Sequence, residues 1–173
     1  AETQSLLNTV SNIQAETNTP LCETMYEVYR YFANLSVQYG NENGSYTPHW
    51  LNHSDVYIQP GKDTNAENGG NYISPFGNNC RNEAYVVLIT DGYPTKDNDA
   101  NTAVGSLPGA IASSRVDGNY LPVLTEWMFN HDVNTNLDGV QNVVSYTIGF
   151  GSDAVSAEPI LRAAAQKGGG DYY

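Results

Sequence analysis

The chain has 173 residues, enough for one domain with a real core, and its 19 acidic against 7 basic side chains give a formal net charge of −12. That balance argues against a nucleic-acid partner, whose phosphates need Lys and Arg to displace counterions, and it is compatible with divalent cations. Only 15% of the residues are charged, so Asn, Ser, Thr, Gly and 13 Tyr carry the polar surface, a style that fits an extracellular setting. No run of about 18 apolar residues is present, which predicts no membrane span. No signal peptide is visible, and the chain reads as a piece of something longer.

Leu6, Leu7, Val10 and Ile13 recur at helical spacing and predict an amphipathic helix over about 3–15. A second helix is predicted after Thr19-Pro20, with Thr19 as the cap and Pro20 in the first turn. Leu21, Met25, Val28, Tyr29, Phe32 and Leu35 give its buried stripe. From about 38 to 82 the periodicity dissolves into Gly, Asn, Pro, Ser and Tyr. A loop this long is usually functional or disordered, and Tyr46, Trp50, Tyr57, Tyr72 and Phe76 predict that it packs down.

Ala84 to Ile89 is an unbroken apolar run rich in β-branched residues, which predicts a strand covered on both faces as in a parallel sheet. Asp91-Gly92 stops it with a turn. Ligands of such sheets gather at the carboxyl ends of the strands, so Asp91 is well sited for binding, with a plain turn aspartate as the alternative. A polar loop over 96–101 leads to a helix burying Leu121, Val123, Leu124, Trp127 and Met128, and an acidic loop over 131–139 leads to a strand over 142–150. Ser156 is the expected cap of a last helix carrying Ile160, Leu161 and Ala164, which Gly168-Gly169-Gly170 ends before a strand opening at Asp171-Tyr172-Tyr173. Strands alternating with helices imply an α/β fold with crossover connections and a mainly parallel sheet. Two strands and a stub make a poor sheet, so further strands are expected upstream or in another chain.

Catalysis finds little support. His49, His53 and His131 lie in loops without a partnered nucleophile, and neither a Gly-x-Ser-x-Gly elbow nor a Walker loop occurs, so the chain is not read as an enzyme. Asp97-Asn98-Asp99-Ala100-Asn101 and the series Asp132, Asn134, Asn136, Asp138 alternate oxygen ligands as calcium loops do. Both lack the full pattern (Thr102 and Pro108 stand where the first would need Gly and Glu) and are read as solvated loops. Cys22 and Cys80 match no zinc motif; a disulfide between them is favoured over two separate thiols, and would contribute about 3–4 kcal/mol by restricting the unfolded chain.

Val86-Val87-Leu88-Ile89-Thr90-Asp91-Gly92 followed by a proline resembles the fourth strand of von Willebrand factor A domains. Asn18-Thr19-Pro20-Leu21 resembles that family's second metal-site loop, and Ser145 to Phe150 and Leu161 to Tyr173 resemble its late strands and helix. Thr19-Pro20-Leu21 with Glu23, Tyr26-Glu27 and Tyr31-Phe32, Ser74-Pro75 ahead of Cys80, and Thr90 to Thr95 resemble the PilY-type adhesins and assembly factors of type IV pilus tips. The resemblance spans residues 1–173, a partial A-like (Rossmann-like) domain without its first strands and with an insertion at about 38–82. It implies a Mg²⁺-dependent adhesion site in which Thr19 and Asp91 are ligands and the cation bridges to a partner's carboxylate. The Asp-x-Ser-x-Ser part of that site is absent from the sequence. The implied role is adhesion and pilus assembly at a bacterial surface, with a protein ligand, a host surface or minor pilins as partners. An intracellular A-domain serving an ATPase, or a purely structural domain of a surface protein, is the alternative.

Overall fold

The computed structural model describes residues 18–39, 45–46, 57–58, 64–77 and 82–173. The helix predicted over 3–15 and the position of Cys80 lie outside the described residues.

Leu21–Phe32 forms α1, and its stripe of Leu21, Met25, Tyr29 and Phe32 is buried at the predicted spacing, joined by Cys22 and Tyr26. The cap differs from expectation. Pro20 occupies that position without a side-chain bond, while the Thr19 carbonyl accepts the Leu21 N–H at 3.0 Å. A distant side chain takes over the capping: Asp97 Oδ1 accepts the Cys22 N–H at 2.6 Å.

In the predicted long loop, β1 (Ser45–Tyr46) pairs antiparallel with β2 (Tyr57–Ile58), and β3 (Glu67–Asn68) with β4 (Asn71–Tyr72). Gly69 and Gly70 close the second hairpin at φ of 62° and 88°, the left-handed pair that a two-residue turn requires. This hairpin packs down, as its aromatic content predicts. The Tyr72 hydroxyl donates to Glu27 at 2.6 Å, its ring meets Tyr31 edge-on, and the Phe76 ring lies against Phe32.

β5 (Glu83–Thr90), β6 (Asn142–Gly149) and β7 (Gly169–Tyr172) form a parallel three-stranded sheet in that order. The chain crosses from β5 to β6 through α2 (Asn101–Gly105) and α3 (Leu121–Asn130), and from β6 to β7 through α4 (Glu158–Lys167). The fold is thus α/β with helices flanking a parallel sheet. The short α2 was not marked by any apolar period. Ser156 does not cap α4; it lies in the 3₁₀ turn Asp153–Ala157 and donates to the Asp153 carbonyl at 2.9 Å. None of the helices among the described residues is long and apolar enough to cross a membrane.

Register sets the layers. Val86 pairs with Ser145 and Leu88 with Thr147, and this face of both strands lies under the helices: Thr147 Oγ1 donates to the Leu161 carbonyl at 2.9 Å. Met25, Leu121, Leu124, Met128, Ile160 and Leu161 fill the layer between and are fully buried. Such burial stabilises by about 1.5–3 kcal/mol per side chain. The opposite face overturns an expectation. Tyr85, Val87 and Ile89 are 63%, 53% and 58% exposed, although their strand reads as covered on both sides. α3 and α4 pack on one another and on β6, α1 packs on α3, and all three build up the same side of the sheet.

Candidate functional site

β5 ends at Thr90, and the turn beginning at Asp91-Gly92 carries the chain along the carboxyl end of the sheet. The loop before α1 meets it there. The Thr19 N–H donates to Thr95 Oγ1 at 2.8 Å, and the Thr95 N–H donates back to the Thr19 carbonyl at 3.1 Å. A Cβ added at Gly92 would stand 3.8 Å from Thr19 Oγ1, so the hydroxyl lies beside the residue that follows Asp91. Two segments far apart in sequence are thereby joined at one rim. Thr19 Oγ1 makes no hydrogen bond among the described residues, because Pro20 holds the cap position and the backbone, not the hydroxyl, pairs with Thr95. Asp91 is exposed.

Aromatic residues stand at the same end of the sheet. The Phe150 N–H donates to the Thr90 carbonyl at 3.0 Å, and the Gly149 N–H to the Tyr173 carbonyl at 3.0 Å, so Phe150 and Tyr173 stand at the same end of the sheet as Asp91. Tyr93, Phe150 and Tyr173 are all exposed.

Thr19 and Asp91 are hard oxygen donors and fit part of a Mg²⁺ shell. They leave most of an octahedral shell to other groups, and no cluster of three or more His, Cys, Asp or Glu that could hold a metal stands among the described residues.

Beneath the rim lies a junction that the sequence reading missed. Asp97, expected in a solvated loop, is 5% exposed, and so is Glu23 on α1. Asp97 Oδ1 accepts the Cys22 N–H, Asp97 Oδ2 accepts Asn119 Nδ2 at 2.6 Å, and Glu23 Oε1 accepts the Ala100 N–H at 3.0 Å. Asn119 Oδ1 in turn accepts the Leu121 N–H at 2.8 Å, so Asp97 links the first turns of α1 and α3. The two buried carboxyls thus serve one crossing, Asp97 holding the amide before Glu23 and Glu23 holding the amide of Ala100. Burial first, then the bond with Glu23, push the Asp97 carboxyl up to about 7, against the lowering effect of Asn119 and the Cys22 N–H. Burial also works to raise Glu23, but the hydrogen bonds from Asp97 and the Ala100 N–H outweigh it and hold its pKa below the ordinary value. No local signal marks this junction, because Asp97 lies 75 residues from Cys22 and 22 from Asn119. The second supposedly solvated loop is also tied in. Asp132 Oδ1 accepts the Asn134 and Gln141 N–H groups, and the buried Asn134 side chain donates to the Phe32 carbonyl at 3.0 Å.

Among the described residues the buried Cys22 thiol has no disulfide partner, and burial, with the negative Asp97 and Glu23 nearby, pushes it well above the ordinary thiol range. Its expected partner Cys80 lies outside the described residues. Comparison with known proteins returns no matching family model, no matching curated protein and no matching solved structure.

Proposed function

We propose that this chain belongs to an adhesion module that engages a protein ligand at the carboxyl rim of its parallel sheet. The observation that supports it is the meeting of Thr19 with the Asp91-Gly92 turn, which sets a hydroxyl with no hydrogen bond among the described residues and an exposed carboxylate on adjoining loops. Thr19 and Asp91 would hold a hard divalent cation such as Mg²⁺, whose charge would supply a bridge to a partner's carboxylate. The other ligands would come from outside these two loops. The exposed Tyr93, Phe150 and Tyr173 would form the apolar surround of that contact. The reading agrees with the resemblance to von Willebrand factor A domains of the pilus-tip type, and places the module on a bacterial surface.

Titration with Mg²⁺ alone, followed by amide NMR, tests it. The wild type should show weak saturable shifts at Thr19, Gly92 and their neighbours, with Kd on the order of 10⁻³ M as expected of an incomplete shell. Asp91→Asn should weaken binding at least tenfold, and Thr19→Val severalfold. Shifts spread over the acidic surface, or unchanged in both variants, would overturn the metal bridge.

A further inference from the structure

We propose that Glu23 and Asp97 share one proton across their buried carboxyls, and that its loss releases the 93–100 loop from the start of α1 and so loosens the rim at Thr19. The inference stands apart from the metal reading, since it concerns what holds the two loops together.

Geometry carries it. Both side chains are at least nine-tenths buried, and both act as acceptors, towards Cys22 N–H and Asn119 Nδ2 for Asp97 and Ala100 N–H for Glu23. Glu23 Oε2 is buried and receives none of these donors. The two carboxyls meet at one crossing of the chain: Asp97 accepts the amide of Cys22, the residue before Glu23, and Glu23 accepts the amide of Ala100, three residues after Asp97. Two carboxylates have no hydrogen to offer each other, whereas one proton held between them supplies the donor that the buried Oε2 lacks and removes one of two like charges.

The surroundings offer no other neutraliser. From α1 the junction meets Cys22, whose thiol stays protonated, and Tyr26; from the loop after α1 it meets Tyr39; from its own loop it meets Asp99. Arg30 lies over the Tyr26 ring and bonds to Ser36 instead. Among the described residues no Lys or Arg is paired with either carboxyl. When the proton leaves for solvent, two negative charges remain in a buried site, and like charges at hydrogen-bonding range repel strongly there.

The direction with pH follows from linkage. Asp97 has its folded pKa raised to about 7 from an ordinary 3.8, so between those values the folded chain holds a proton that the unfolded chain has released. Stability is therefore greatest below that window and falls as pH rises through about 7. Glu23, held low, works the other way: its contribution is present above its unfolded value and fades only when acid protonates it in the fold. The rim feels the change because Thr95, two residues before Asp97, makes both backbone-directed bonds to Thr19.

Glu23→Gln is the decisive variant. It keeps an oxygen for the Ala100 N–H and puts a permanent N–H donor where Oε2 has none. The wild-type melting temperature should fall between pH 5 and pH 8, and that of Glu23→Gln should stay flat and exceed the wild type at pH 8. In the wild type, ¹³C-carboxyl NMR should show Asp97 and Glu23 reporting one common step near pH 7, and exchange of the Thr19 amide should quicken across the same step. Ordinary titration of both carboxyls near pH 4, or parallel decline of wild type and variant, would overturn the proposal. The NMR titration decides the matter on the wild type alone should the variant fail to fold.

Discussion

β5 and β6 are each eight residues long and pair residue for residue, yet they meet opposite environments. β5 is the more apolar, running Ala84-Tyr85-Val86-Val87-Leu88-Ile89, and it leaves every second side chain of that run open to water. On that same face β6 keeps Val144 buried and Tyr146 and Ile148 half-buried, and on the helix-covered face it places Ser145 and Thr147, neither with any exposed surface. Position explains the difference on the outer face. β6 has a strand on each edge and helices packed on it, whereas β5 is paired on one edge only among the described residues. Burial here follows a strand's place in the sheet, and the side chains then fit that place well or badly. Thr147 fits, since its hydroxyl reaches the Leu161 carbonyl. Ser145 fits less well, since its Oγ is buried with no partner among the described residues.

The comparison breaks most visibly where α4 meets β6. Leu161 is fully buried, and Leu161→Ala should cost about 2–5 kcal/mol, because the close-packed layer around it cannot collapse into the gap. Urea or thermal unfolding would measure it, and a loss under 1 kcal/mol would mean that this layer is loosely packed. Next in size is Ser145. Removing a buried hydroxyl that has no partner relieves a desolvation cost, so Ser145→Ala should be neutral or stabilising by up to about 1 kcal/mol. A clear destabilisation would show that the hydroxyl has a bonding partner.

The same contrast shows what the amino acids disclose by themselves. α1, α3 and α4 are legible because their apolar residues recur at the helical period, and β5 because it is a short unbroken run rich in β-branched residues; Leu121, Val123, Leu124, Trp127 and Met128 are buried as their spacing implies. The rim was legible too, in that Thr19 and the Asp91-Gly92 turn do come together. What periodicity does not carry is partnership over long separations. Asp97 looks like a loop carboxylate until its donors arrive from two helices, and the β3–β4 hairpin is too short for any period to show. Burial of both faces of β5 was a sound inference from composition, but composition reports what a strand is suited for and not what lies against it. Tyr85, Val87 and Ile89 are suited to an apolar neighbour that the described residues do not provide.

The smallest expected effect tests that last point. Val87→Thr swaps a methyl for a hydroxyl at nearly constant shape and keeps β-branching, so it changes hydration and little else. At a side chain 53% exposed, the melting temperature should move by no more than the equivalent of about 0.5 kcal/mol. The same substitution placed in the helix-covered layer would bury a polar group at a cost of about 1–3 kcal/mol. An apolar face beside an open edge also invites pairing between copies, so Val87→Thr should reduce concentration-dependent association in sedimentation experiments while leaving stability unchanged. A large loss of stability would instead mean that Val87 is packed in solution, and the difference between the two strands would vanish.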